Sequence, residues 1–231
     1  MCGRYSLTTP LESVERLFAF DARPNLAARY NIAPTQPVPV LRNGVSGRRE
    51  LVLVRWGLVP SWAKAVSAGR PLINARAETV AEKPAFRNAF KRRRCLIPAD
   101  GFYEWHAVPD GSKQPYRIAM ADNALFAFAG IWEHWQTTEG SELETCAIVT
   151  TDANNQIRDI HHRMPVILAP GDFDAWLSGE PGAAATLMRP YGGSLIAYPV
   201  GRAVNDIRND GPSLWDKTTP NDALPRQLDL L

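Results

Sequence analysis

Between Arg94 and Trp132 the chain is almost continuously strand-like, and this stretch limits the possible folds more than any other. Residues 94–97, 101–108, 113–120 and 124–132 are apolar, aromatic and β-branched runs of strand length, with Pro109-Asp110-Gly111 as a turn between the second and third. Such a series predicts an antiparallel meander. Upstream, residues 2–7 read as a short strand, and residues 37–42 and 50–56 as a hairpin closed by the glycine-containing turn 43–47. Downstream, residues 143–151, 164–169 and 195–200 carry the same signal. Helices are fewer. The first is expected to start with Thr9 as N-cap, Pro10 at the first helical position and Glu12 as capping-box partner. Leu11, Val14, Leu17 and Phe18 form its apolar face, and it ends before Pro24. Short helices are expected over 84–90, 152–158 and 171–177, and an irregular loop over 57–71. Nineteen prolines weigh against a helical bundle. Strands outnumber helices without βαβ alternation, so the expectation is one α+β domain with a largely antiparallel, curved or barrel-like sheet flanked by helices. It should occupy residues 1–215, with 216–231 as a frayed tail.

Composition narrows the function. A formal charge of +2 means that any nucleic-acid surface must be a local patch rather than a global field. Three cysteines, Cys2, Cys95 and Cys146, are few, odd in number and without metal-ligand spacing, which fits a reducing compartment, the cytoplasm by default. The polar start and the short apolar runs predict no signal peptide and no membrane span. Neither GxGxxG nor GxxxxGK[ST] occurs, so no nucleotide cofactor is expected. A monomer is the default state.

Chemistry is concentrated in a few places. If Met1 is removed, Cys2 carries an α-amine and a thiol on adjacent carbons, a 1,2-aminothiol that can condense with an aldehyde and close to a thiazolidine. The reference pKa of an α-amine is about 7.7–8.0 and that of a thiol about 8.5, so part of the amine is already neutral at physiological pH. The alternative is a cysteine that merely begins an N-terminal strand. Four other segments set polar groups among apolar residues, where burial costs free energy unless the groups are paired or used. In Leu72-Ile73-Asn74-Ala75-Arg76, Asn74 can hold an amine or a sugar oxygen and Arg76 a phosphate, or else Asn74 pins a turn and Arg76 is a surface charge. Glu104, between Tyr103 and Trp105, is either a desolvated proton-transfer group or the buried partner of an arginine. His161 and His162 suit acid/base work better than a zinc site, for which no partners are apparent. Lys91-Arg92-Arg93-Arg94 either meets phosphate or terminates a helix, and Trp62 either stacks on a base or packs inward.

Six segments together resemble the SRAP family of proteins that crosslink to abasic sites. They are Met1-Cys2-Gly3-Arg4-Tyr5, Arg29-Tyr30-Asn31-Ile32-Ala33-Pro34, Trp56-Gly57-Leu58-Val59-Pro60, Ile73-Asn74-Ala75-Arg76-Ala77-Glu78, Asp100-Gly101-Phe102-Tyr103-Glu104-Trp105 and Ile160-His161-His162-Arg163-Met164-Pro165, in the family's order. The resemblance implies that Cys2, freed of Met1, bonds to the ring-opened aldehyde of an abasic site in single-stranded DNA or at a single-strand/duplex junction. It further implies roles for Asn74 in orienting the amine, for Glu104 in relaying protons and for His161 as acid/base. Arg4, Arg76 and Arg163 would meet phosphate, while Gly3, Asn31, Pro34, Trp62, Trp105 and Thr150 would line or edge the DNA site. No metal or cofactor is implied, and the protein would be nucleoid-associated when bound. Two departures stand out: His162 occupies a position where some members have aspartate, and Ala63 follows Trp62 where some have a second tryptophan. Two other classes fit the same residues: a hydrolase whose nucleophile is Cys2, acting on peptides or on Met1 alone, and a non-covalent reader of single strands.

Overall fold

In the computed structural model, residues 2–20, 26–66, 71–109, 111–137 and 139–219 are described. The strands are β1 (Tyr5–Leu7), β2 (Arg29–Ile32), β3 (Pro37–Asn43), β4 (Arg49–Trp56), β5 (Asn74–Arg76), β6 (Arg94–Ala99), β7 (Gly101–Ala107), β8 (Lys113–Met120), β9 (Phe126–Gln136), β10 (Glu142–Asp152), β11 (Arg163–Pro165), β12 (Ile167–Leu168) and β13 (Leu195–Pro199). The helices are α1 (Leu11–Phe18), α2 (Arg87–Arg92), α3 (Phe173–Ser178) and α4 (Pro181–Thr186), with 3₁₀ turns at Pro170–Asp172, Arg202–Asn205 and Pro212–Trp215.

The strands form two layers. One runs β13-β8-β7-β1-β2, antiparallel throughout. The other contains the path β10-β4-β3-β6-β9, and β9 pairs again with β10, so five strands close into a barrel. All of its pairings are antiparallel except the parallel pair β10 with β4. Closure removes the sheet edges that would otherwise invite pairing with other chains. The meander expectation is therefore corrected. Strands β6 to β9 are consecutive, but β7 and β8 pair with each other in the open sheet while β6 and β9 pair in the barrel. Ala99 and Asp100 mark the switch: Ala99, opposite Phe126, is the last residue of the barrel strand, and the Asp100 carboxylate, accepting from Ser6 Oγ and from Thr8 and Thr9, ties the chain to β1 of the open sheet.

Alternation along β7 explains the layering. Phe102 points into the main core, where it meets Phe128, whereas Tyr103 points the other way, into a smaller cluster with Val200, Val204 and Leu214. Glu104 shares the inward side with Phe102, and it is buried for that reason. Gly130 on β9 is needed by its neighbour strand, since a Cβ there would lie 2.8 Å from Cys95 Sγ and from Ile97 Cδ1.

Several local expectations shift. Pro10, not Thr9, is the N-cap of α1, and no side chain caps it, because the Thr9 hydroxyl is spent on Asp100. The helix stops at Phe18, where Ala19 takes a left-handed conformation (φ 50°), and Pro24 lies outside the described residues. The helix expected over 84–90 lies at Arg87–Arg92; of 152–158, Asp152 ends β10 and turns follow from 155 rather than a helix; and the strand expected over 164–169 is split into β11 and β12, which pair with different strands. Asp110 of the expected turn lies outside the described residues, but Gly111 N–H donates to Val108 O at 3.0 Å. Of the expected tail, Lys217 bridges to Val200 and Thr218 N–H donates to Pro199 O at 3.0 Å, and the remainder from 220 is outside the described residues. None of the helices among the described residues is long and apolar enough to cross a membrane.

Candidate active site

A cleft of 400 Å³ opens where β7, the start of β8, the turn before β11 and the Arg202–Asn205 turn converge, lined by Arg4, Glu104, Trp105, Lys113, His161 and Asn205. Four of these stand among the sequence-derived candidates, and Cys2 and Asn74 join them from the buried side. Asn74 is held by β5, which pairs in parallel with β10 (Asn74 opposite Ile148), and its Nδ2 donates to the Cys2 carbonyl at 2.9 Å. Its Oδ1 is buried and without a hydrogen-bond partner among the described residues. An orphaned acceptor of this kind is costly unless a donor arrives, and an amine on Cys2 is such a donor.

Burial dominates the electrostatics. Cys2 is fully buried, and its thiol is pushed well above the ordinary range by desolvation and then by the neighbouring Glu104 charge, while the Arg4 backbone N–H donates to its sulfur. Desolvation raises Glu104 to about 7, with the chain's amino-terminal charge pulling the other way. His161 is lowered to about 4, again chiefly by burial. Its Nε2 lies 4.0 Å from Glu104 Oε2. Its Nδ1 lies 2.9 Å from Arg163 N and 3.0 Å from Arg163 O, so the Arg163 backbone fixes the ring and turns Nε2 toward Glu104. His162 is exposed and stacks on His161, with ring centroids 4.6 Å apart. Geometry thus separates the two histidines, which sequence alone could not do. The site therefore contains a carboxyl group that titrates near neutrality beside an uncharged imidazole, which suits relay of protons at pH 7.

The remaining candidates occupy different places. Arg4 Nη1 donates to Asn31 Oδ1 at 2.8 Å and to Val204 O at 2.6 Å, and its guanidinium lies over the Trp105 ring at 5.8 Å. Asn31 does not reach the cleft. It is buried, and its Nδ2 donates to the carbonyls of Val204, Asp206 and Asn209, fastening the 202–209 segment behind Arg4. Trp105 Nε1 donates to Asn205 Oδ1 at 2.8 Å. Arg163 is buried and committed: Glu78 and Asp152 pair with it, and Thr150 O accepts from its Nη2 at 2.7 Å. Thr150 is fully buried, and its Oγ1 has no partner among the described residues. Arg76 is exposed on the strand beside it, and Gly3 and Pro34 are half-buried. Trp62 is 65% exposed, away from the lining of the cleft, with its Nε1 3.5 Å from Pro84 O. The basic run divides. Lys91 and Arg92 are exposed at the end of α2, Arg93 pairs with Glu133, and Arg94 is buried, donating to the carbonyls of Trp176, Phe90 and Gly179.

Sequence reasoning missed Lys113 and Asn205. Lys113 is one charged residue after a turn, with no local signal until the β7–β8 register (Ala107 opposite Lys113, Trp105 opposite Pro115) brings it beside Trp105. Asn205 is 100 residues from the tryptophan that it holds, and only the fold joins them.

The family model described as SOS response associated peptidase (SRAP) matches residues 1–207. Abasic site processing protein YoaM of Bacillus subtilis (strain 168) is 42% identical over 223 residues, covering 94% of this chain and 98% of that protein. Abasic site processing protein YedK of Escherichia coli (strain K12) is 34% identical over 230 residues, covering 93% and 98%. The crystal structure of a protein from Bacteroides thetaiotaomicron superposes with a TM-score of 0.81 at 26% identity, covering 94% of this chain and 100% of that one. The six motifs, the closed barrel with its open sheet and a match that runs through nearly the whole chain agree: the chain belongs to the SRAP family.

Proposed function

We propose that this protein processes abasic sites in DNA by covalent capture. Cys2 bonds to the aldehyde of the ring-opened sugar once Met1, which lies outside the described residues, has been removed. The observation that carries the reading is the placement of Cys2. The second residue of the chain is held by Asn74 beside a carboxyl group tuned to about 7 and a neutral imidazole. Naming of the relatives as abasic site processing proteins supports the substrate.

The steps balance without a cofactor. Glu104, as carboxylate, takes a proton from the Cys2 ammonium, and the amine adds to the aldehyde carbon to give a carbinolamine. Glu104 returns that proton to the hydroxyl, which leaves as water, and the carboxylate then takes the nitrogen's proton to leave an imine, with the neutral His161 beside it as a second proton acceptor. The thiol then adds across the C=N bond, its sulfur bonding to carbon and its proton ending on nitrogen, to close the thiazolidine. Amine attack comes first in this order, which suits a buried thiol held protonated. The same thiol is ill suited to the thiolate attack of a cysteine peptidase. Cations contact phosphates and carry no base code, which matches a lesion that has lost its base. Single-stranded DNA, or its junction with duplex, is the substrate in which such a sugar can reach the cleft.

The test is denaturing electrophoresis with intact-mass analysis, using protein verified to lack Met1 and an oligonucleotide with one abasic site. The expected product is a heat-stable adduct mapped to Cys2, absent in Cys2→Ala, which retains salt-sensitive DNA binding. An undiminished adduct in Cys2→Ala would overturn the aminothiol mechanism.

A further inference from the structure

The cleft holds a cation that the family motifs above do not include. Lys113 opens β8 directly after the turn closed by Val108 N–H to Ser112 O. Its backbone is fixed by the β7–β8 ladder and by the next residue, Gln114, which is buried and donates to Val200 O at 2.8 Å. The side chain is exposed on the cleft wall, diagonal to Trp105 across the strand pair, within reach of a long side chain. Its charge is close enough to act on both Glu104 and His161. The other candidate cations are engaged or displaced: Arg4 shares the cleft lining but its Nη1 is bound to Asn31 and Val204, Arg163 gives both terminal nitrogens to Glu78, Asp152 and Thr150 O, and Arg76 does not line the cleft. No salt bridge among the described residues reaches Lys113. A phosphodiester entering this cleft also meets Glu104, whose charge opposes it, so a compensating ammonium at the wall is what admission of an anionic sugar requires.

We propose that Lys113 is a substrate-charge contact: its ammonium receives the phosphate flanking the abasic sugar and makes the cleft select aldehydes that carry a phosphate near the reacting carbon. This rests on the reading of the cleft as an aldehyde site.

The experiment compares 2-deoxyribose 5-phosphate with 2-deoxyribose, both of which open to the aldehyde. Adduct formation on Met1-less protein is followed by intact mass, and each rate is normalised to the same sugar reacting with free cysteine. The protein should prefer the phosphorylated sugar by about tenfold or more, the preference should collapse toward unity in Lys113→Met, and Lys113→Arg should restore it; tenfold is the order expected of one charge-assisted contact. General damage to the site lowers both rates and leaves the ratio intact, so an unchanged ratio in Lys113→Met overturns the assignment. A second readout uses the abasic oligonucleotide. The slope of log affinity against log salt should flatten by about 0.7 in Lys113→Met, the value for one phosphate contact on a single strand. An unchanged slope also overturns the proposal. Failure of the unsubstituted protein to form any adduct with the oligonucleotide would instead overturn the underlying function.

Discussion

At the scale of single residues, the site is defined by ionisable groups whose burial favours their neutral forms. Glu104 at about 7 and His161 at about 4 are displaced in opposite directions by the same cause, since burial penalises the carboxylate and the imidazolium alike. The consequences for stability have opposite signs. A raised carboxyl pKa favours the fold fully below the ordinary value near 4.5, and that benefit is lost as pH rises through about 7. A lowered histidine pKa favours the fold above 6.5, and that benefit is lost as pH falls toward 4. Glu104→Gln therefore gains melting temperature relative to the unsubstituted protein on going from pH 4.5 to pH 8; a difference independent of pH would show that the carboxyl group is not desolvated. For reaction, the same variant should crosslink more slowly by roughly 10²–10⁴-fold, the usual contribution of a general acid or base, and lose the inflection near pH 7 from its rate profile. Asn74→Ala removes both the donor to Cys2 O and the orphaned acceptor. About a tenfold loss in crosslinking rate, with only a small change in melting temperature, is expected, because losing one hydrogen bond is offset by losing one unsatisfied group.

At the scale of elements, the sequence was most informative where a pattern is local. The β3–β4 hairpin, β8 to the residue, and the strand character of β6, β7, β9, β10 and β13 are written in period and turn chemistry. What the sequence does not carry is partnership. The successive strands β6 to β9 look like a meander because each has the right composition, yet their pairing is decided by Asp100 and β1, residues far upstream and at a corner. Likewise, 152–158 forms no helix although its composition permits one, since Ala153 N–H is engaged by His162 O and the segment is bent back to deliver His161. Among candidate site residues, Cys2, Asn74, Glu104 and the pair His161 and His162 were legible as polar or reactive groups in an apolar or terminal context, whereas Arg4, Trp105 and the choice of His161 over His162 came from the family resemblance. The resemblance offered Asn31 as lining the DNA site and Arg163 as a phosphate contact; neither was legible as a strut, because only the fold supplies the carbonyls and carboxylates that absorb their donors. Two substitutions test this. Asn31→Ala should lower the melting temperature by about 2–8 °C, as expected for losing buried hydrogen bonds worth about 1–2 kcal/mol in a chain of this size, and should weaken crosslinking through the displaced Arg4. Gly130→Ala forces a methyl group against Cys95 and Ile97 and should cost about 1–3 kcal/mol in denaturant titration without altering the pH profile of the reaction.

At the scale of the whole molecule, the two layers have separate duties. The closed barrel supplies a core without open edges, and the antiparallel sheet brings β1, β7 and β8 together so that their ends form the cleft. The smaller cluster on the outer side of that sheet is made from both ends of the chain. Trp215 Nε1 donates to Tyr103 Oη, Tyr103 Oη donates to Tyr30 O, and Arg117 lies 3.8 Å from the Trp215 ring centroid. Trp215→Ala should thus destabilise the protein by about 3–5 kcal/mol, as truncation of packed aromatics does, and calorimetry should show one transition rather than early melting of the last segment alone.

The join between Arg4 and Val204 also sets an order of events during synthesis. The wall of the cleft that includes Asn205 does not exist until some two hundred residues after Arg4 have left the ribosome. Throughout that interval the emerging amino terminus is open to a trimming enzyme, whereas the finished fold buries Cys2 completely. If capture runs through the Cys2 amine as proposed, removal of Met1 becomes a matter of timing, easiest on the nascent chain before the fold closes over Cys2.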